Sequence, residues 1–292
     1  MRTPLVIGNW KMHGSQESNE QLLQQLQPLL AELNQADSDT VHTAVCPPFP
    51  YLSQVKSQLN GRIALGAQNL NMERQGAHTG EVSAPMLKEL GCRYVLVGHS
   101  ERREIYGESD LIVAEKFAAA IADGLIPVLC VGETLEQRKS GQSLAVVSSQ
   151  INAVIRRNGV ESLKQAVIAY EPVWAIGTGK VPTLEQIAEV HDFLRAELTN
   201  RFGAETADSI RLLYGGSVKP GNAAEIFALT DVDGGLVGGL FIAAPDQRGR
   251  GQRRLFGDPG QAQRQHPVLE IGGGILGGHG NILFQKSYAS IA

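Results

Sequence analysis

The chain has 292 residues, 42% hydrophobic and 19% charged, a composition that predicts a soluble globular protein with room for a large core. Its formal net charge is -4 and the first 240 residues hold no basic tract, which argues against nucleic-acid and membrane-surface partners. No apolar run approaches the roughly 18 residues of a membrane span, and three scattered cysteines, Cys46, Cys92 and Cys130, predict a reducing, cytoplasmic setting without a metal cluster.

In chain order, residues 5–10 are a short apolar run, as expected of a strand buried on both faces and too short for a signal peptide. Residues 15–33 carry Leu22, Leu23, Leu26, Leu29, Leu30 and Leu33 at helical spacing. Apolar runs at 41–46, 62–68, 94–97, 127–131, 166–170, 211–214 and 233–237 predict further strands. Between them the pattern predicts helices at 51–59, 84–90, 110–123, 135–157 with a break near Gly141, 183–202 and 220–229. Gly124 suits the position just past a helix end, Thr183 an N-cap and Pro220 a helix start. The polar loop 69–81 is too long for an ordinary connection, which predicts a function of its own. Eight strands alternating with seven helical segments make an α/β protein with a parallel sheet. Eight units point to closure as a (β/α)8 barrel, with a doubly wound open sheet as the alternative.

The chemistry is organised around residues 169–180, Ala-Tyr-Glu-Pro-Val-Trp-Ala-Ile-Gly-Thr-Gly-Lys. Glu171 follows a strand directly, Pro172 stops that strand, and Gly177 and Gly179 make a hinged loop. Such a carboxylate is either a base beneath a lid or a cap on the helix that starts near Thr183. The other strand ends are also polar or glycine-rich: Asn9-Trp10-Lys11, His99-Ser100-Glu101-Arg102, Gly215-Gly216-Ser217 and Gly238-Gly239. Taken singly, Lys11 is a solvated cation, His99 a structural histidine, Glu101 and Arg102 an ion pair, and the glycines tight turns. Converging on one barrel face, they supply an electrophile, a proton carrier, a base and an anion cradle. Gly177-Thr-Gly-Lys180 is not a P-loop, because Trp174 stands where the first glycine is required and Val181 where Ser or Thr is required. No HExxH and no acidic cluster offers a metal site, and no cofactor is expected.

The chain resembles the triosephosphate isomerase family. The resemblance rests on Gly8-Asn-Trp-Lys-Met12, Gly98-His-Ser-Glu-Arg-Arg103, the 169–180 stretch, Tyr214-Gly-Gly-Ser217 and Gly235-Leu-Val-Gly-Gly239, and covers about residues 1–239. It implies a TIM barrel that interconverts dihydroxyacetone phosphate and glyceraldehyde 3-phosphate through an enediolate. It further implies Glu171 as base, His99 as electrophile, and Lys11 and Asn9 as substrate contacts. By the same resemblance the amides of Gly177, Ser217, Gly238 and Gly239 hold the phosphate, and Glu101, Cys130 and Thr79 are supporting residues. Loop 69–81, with Thr79, resembles the family's interdigitating dimer loop, so a homodimer is implied. The neutral state of His99 comes from the resemblance; residues 100–102 can begin a helix whose N-terminal dipole would depress the imidazole pKa. Three readings compete with this one: another phosphosugar isomerase or an aldolase on the same barrel, although an aldolase needs a Schiff-base Lys that strand six lacks; a barrel left inactive by its altered C-terminus, or useful only as a partner subunit; and a binder with a separate role.

Two departures stand out. His13 takes the place of the family's usual Asn, beside the docking site of the dimer loop. From Leu240 the expected Ala-Ser-Leu and final helix are replaced by Leu240-Phe-Ile-Ala-Ala-Pro245 and an Arg-, Gln- and Gly-rich tail. The expectation is a barrel domain over 1–244 and a mostly disordered tail over 245–292, with the eighth helix missing or replaced and an open seam beside strand eight. A final helix would bury about four large apolar side chains at about 1.5–3 kcal/mol each. Its loss predicts lowered stability and activity, and the composition suggests a reading-frame change near codon 240.

Overall fold

The computed structural model describes residues 2–33, 41–176, 178, 180–219, 221–238, 269–271 and 274–276. The elements run β1 (Leu5–Asn9), α1 (Gln16–Leu33), β2 (His42–Cys46), α2 (Leu52–Gln58), β3 (Ile63–Ala67), α3 (Ala84–Glu89) and β4 (Tyr94–Val97). Then come α4 (Ser100–Ile105), α5 (Asp110–Ala122), β5 (Ile126–Val131), α6 (Leu135–Lys139), α7 (Ser143–Asn158), β6 (Val167–Tyr170), α8 (Leu184–Phe202) and α9 (Ala204–Ala207). The described order ends with β7 (Leu212–Tyr214), α10 (Ala223–Phe227), β8 (Gly234–Gly238), β9 (Leu269–Ile271) and β10 (Gly274–Leu276).

Strands β1 to β8 form a closed parallel ring in sequence order. The ring is sealed by β1 against β8, with Leu5 opposite Gly234 through to Asn9 opposite Gly238. Gly234 makes that joint possible: at φ +136 its missing Cβ would sit 2.0 Å from the Leu5 carbonyl oxygen. The open seam expected beside strand eight is not found in the strand ring, which backbone pairing of β1 with β8 closes. The covering layer after β8 lies outside the described residues, as does most of the tail expected to be disordered. Within that stretch the described residues are β9 and β10, which pair antiparallel, Gly274 opposite Ile271.

Alternate residues of each strand face inward, so one core fills the ring and a second lies between strands and helices. Leu5, Ile7, Ala44, Cys46, Tyr94, Leu96, Val128, Cys130, Val167, Ala169, Leu213 and Leu236 form the inner core. Helix α1 buries Leu22, Leu23, Leu26 and Leu30 in the outer one, each worth about 1.5–3 kcal/mol. Thr134 and Thr183 start α6 and α8 with reciprocal capping boxes to Gln137 and Gln186. The helix expected over 135–157 breaks at 140–142, near the Gly141 break expected there, into α6 and α7; α4 begins at the 100–102 segment expected to start a helix, and α9 is a short helix the pattern did not announce. Among the described residues, no helix is long and apolar enough to cross a membrane.

Candidate active site

The polar strand ends meet at the C-terminal mouth of the ring. At the end of β1, Asn9 is buried, and its Oδ1 accepts the Lys11 amide at 3.0 Å. Lys11 holds φ 51, a left-handed conformation uncommon for a side-chain-bearing residue. Gln68, just past β3, grips that turn: its Nε2 donates to the carbonyls of Lys11 and Cys46, each at 2.8 Å. The Lys11 ammonium crosses the end of β8 to pair with Glu101. Gly238 allows the crossing, because a Cβ there would lie 2.8 Å from Lys11 Cε.

His99 ends β4 and caps α4. Its Nδ1 accepts the Glu101 amide at 3.2 Å, which leaves the ring proton on Nε2. From β6, Glu171 is only 2% exposed. One carboxylate oxygen lies 3.0 Å from His99 Nε2, and the other accepts the Ser100 amide at 2.8 Å. Two glycines make room for it. A Cβ on Gly132 would fall 1.7 Å from the Glu171 carbonyl oxygen, and one on Gly215 would fall 2.8 Å from Glu171 Cγ.

Burial would push the Glu171 pKa up, but the adjacent His99, the Ser100 amide and Lys11 outweigh it and hold the carboxyl below its ordinary value. Burial would push His99 down, but the Glu171 charge and hydrogen bond, with Glu101, outweigh burial and raise it. This corrects the depressed imidazole expected from the start of α4: the helix forms, yet a carboxylate 3.0 Å away dominates a one-turn dipole. Cys130 lies behind Glu171 on β5, fully buried, and burial plus the Glu171 charge push its thiol well up.

Lys11, Asn9, His99, Glu101, Glu171 and Cys130 are thus brought together. Ser217 is half-buried after β7, where its carbonyl accepts Asn222 Nδ2 at 3.3 Å. Gly238 is exposed at the end of β8. Gly177 and Gly239 lie outside the described residues. Thr79 is not brought to the site of its own chain; it lies in the exposed stretch 72–81 and hydrogen-bonds none of the site residues.

Sequence reasoning missed the support beneath Trp174 in the loop after β6. Glu133 is fully buried after β5 and accepts from Tyr170 Oη at 3.1 Å, Trp174 Nε1 at 2.9 Å and Arg138 at 3.0 Å. Arg138 also lies over the Trp174 ring, 5.3 Å from its centroid. The signal was available, since Glu133 is another carboxylate just past a strand. Tyr214 Oη, also overlooked, is buried without a hydrogen-bond partner among the described residues. Among those residues no group of three His, Cys, Asp or Glu could hold a metal ion.

The family model for triosephosphate isomerase matches residues 4–247. Over 247 residues the chain is 53% identical to the triosephosphate isomerase of Cupriavidus pinatubonensis, covering 84% of this chain and 97% of the relative. It is 52% identical to that of Dechloromonas aromatica, covering 84% and 96%. It is 51% identical over 243 residues to that of Alcanivorax borkumensis, covering 83% and 95%. The family match therefore runs past Gly239, where the recognisable motifs end. A closed eight-stranded parallel ring, a Glu–His–Lys constellation at its C-terminal mouth and a match of this extent lead to one conclusion: the chain belongs to the triosephosphate isomerase family.

Proposed function

We propose that the chain interconverts dihydroxyacetone phosphate and glyceraldehyde 3-phosphate, a step of glycolysis and gluconeogenesis, with Glu171 as the base. The observation that carries this reading is the buried, ionised Glu171 lying 3.0 Å from His99 Nε2 at the C-terminal mouth. Substrate enters between the two. Glu171 gives up the Ser100 amide and takes a proton from the carbon beside the carbonyl, then returns it to the neighbouring carbon. His99 donates from Nε2 to the substrate oxygens and shuttles the proton between them. Lys11 supplies positive charge to the enediolate, and Asn9 contacts substrate while its Oδ1 holds the Lys11 turn. The amides of Gly177, Ser217, Gly238 and Gly239 take the phosphate. Glu101 and Cys130 support Lys11 and Glu171 from behind. Closure of loop 172–182 over the site excludes water and protects the enediolate.

An aldolase reading lacks its Schiff-base lysine, since β6 reads Val-Ile-Ala-Tyr. No observation favours an impaired barrel. A coupled assay with glyceraldehyde 3-phosphate tests the activity, and Glu171→Asp tests the base. Retracting the carboxylate by one methylene should lower kcat by about 100-fold with little change in KM. A variant with near-normal kcat would remove Glu171 from the mechanism.

The working species is read as a cytoplasmic homodimer in which loop 69–81, with Thr79, inserts near Asn9 and His13 of a second copy. Support comes from ten consecutive exposed residues, 72–81, on a base tied by Asn71 to Val82 and Glu81. Met12 is 91% exposed nearby, an apolar side chain that a partner would cover. Three free, buried thiols suit a reducing compartment. The barrel is assigned to residues 1–244 and the remainder to an atypical tail, a division supported by a family match that ends at 247.

A further inference from the structure

Helix α1 carries a polar residue where its pattern calls for an apolar one. Its buried stripe runs 19, 22, 23, 26 and 30, the spacing of a core-facing helix surface, and the last four are leucines. The first is Asn19, only 2% exposed. A buried amide is unfavourable unless its polar atoms find partners. Asn19 Nδ2 donates to Gln54 Oε1, on α2, at 3.3 Å. Gln54 Nε2 in turn donates to the Gln16 carbonyl at 2.6 Å. That second bond fixes which way the Gln54 amide faces, because the reverse orientation would set oxygen against oxygen. Only a donor then suits Gln54 Oε1, and Asn19 supplies it.

These contacts grip the turn 12–16, which joins Lys11 to α1. The other amide atom of Asn19 faces Gly14, where a Cβ would lie 2.5 Å from Asn19 Oδ1 and where φ is 119. Tyr51 Oη, just before α2, donates to the Gly14 carbonyl at 3.1 Å. Ser15 and Ser18 close the start of α1 reciprocally, each amide donating to the other's hydroxyl, at 2.8 and 3.1 Å. Lys11 itself keeps φ 51, and such a conformation persists only where its surroundings over-determine it. Asn9 and Gln68 fix the strand side of the turn. Asn19, Gln54 and Tyr51 fix its helix side.

We propose that Asn19, acting through Gln54, is a positioning residue for Lys11, whose service to the substrate is the reading on which this inference rests. The pair locks the turn 12–16 from the α2 side, so that the Lys11 ammonium stays at the mouth beside Glu101. A leucine at position 19 would continue the stripe and pack, but it would leave Gln54 Oε1 without its donor and free the Gln54 amide to turn from the Gln16 carbonyl.

The test uses the full chain with Asn19→Leu, which keeps the branching of the side chain without its polar atoms, and with Gln54→Leu. In each, calorimetry should show a phosphoglycolate-like anion bound about tenfold more weakly, short of the roughly 100-fold that a full 1 Å misplacement can cost. The double variant should bind no more weakly than the weaker single one, because both changes open the same contact. The NMR signal of the Lys11 ε-methylene should move in both variants, with the melting temperature close to wild type. That signal is read without turnover, so it tests the positioning even if the wild type showed no isomerase activity, a result that would refute the isomerase reading alone. Gln54→Leu, at a half-buried position, carries the test should Asn19→Leu fold poorly. Unchanged affinity with an unmoved Lys11 signal would overturn the proposal. So would a loss of affinity that tracks a lowered melting temperature, which is a structural role, or one that vanishes as protein concentration rises, which is a role in assembly.

Discussion

At Glu171 and His99, burial and charge oppose each other, and charge wins at both. Two outcomes follow at the scale of the residue. Glu171 stays ionised below its ordinary value of 4.5, so the acid limb that remains once titration of the substrate phosphate is divided out should fall below that pH. The same depression contributes stability that is present above 4.5 and lost as pH falls through the lowered value. A pH–rate profile whose acid limb, with the substrate phosphate accounted for, still lies above 4.5 would contradict the assignment. For His99, Glu171→Gln removes the leading cause of the upward shift and leaves burial, which lowers it. An NMR titration of the imidazole should therefore give a lower pKa in the variant than in the wild type. An unchanged or higher value would show that Glu171 does not govern the ring. Elsewhere the thiols are inert for the same physical reason: burial pushes Cys92 up to about 12.

The candidate active site is made of strand ends, and its precision comes from how closely neighbouring ends approach. Gly132, after β5, is the tightest case, with 1.7 Å between its virtual Cβ and the Glu171 carbonyl oxygen. Gly132→Ala must displace the β6 end that carries Glu171, the proposed base. A shift on the order of 1 Å should lower kcat by about 100-fold while the far-ultraviolet spectrum stays barrel-like. Wild-type kinetics in that variant would mean that Glu171 tolerates displacement. These elements also show what could be read beforehand. Glu171, His99, Lys11 and Asn9 stand at or just past the ends of apolar runs, so strand pattern alone placed them on one face. The support around them was not readable. Gln68 reaches Lys11 across 57 positions, and Glu133 reaches Tyr170 across 37, contacts that exist only once neighbouring strands pair.

For the whole molecule, closure rests on the β1–β8 joint. Gly234→Ala would put a methyl group 2.0 Å from the Leu5 carbonyl oxygen at a φ that side chains rarely adopt. A loss of about 3 kcal/mol or more is expected, which corresponds to a fall in Tm of roughly 6–12 °C for a domain of this size. A melting temperature within a degree of wild type would show that the joint adapts freely. Assembly is tested separately by sedimentation. A dimer is expected, and deleting residues 73–78 should yield a monomer of much lower activity. A fully active wild-type monomer would rule out the reading of loop 69–81.

What the sequence determined by itself was the repeating unit and the chemistry at its edges. Period and composition are local, and eight apolar runs with polar ends required no knowledge of distant partners. The tertiary structure decided everything that depends on which residues become neighbours. It closed the ring at β8 by pairing that strand with β1, where Gly234 leaves room for the Leu5 carbonyl. It reversed the expected shift of His99, because Glu171, 71 positions beyond Ser100, is brought against the ring when β4 and β6 end on the same face. A local helix start was visible in the sequence; the carboxylate that outweighs it becomes a neighbour only through the fold.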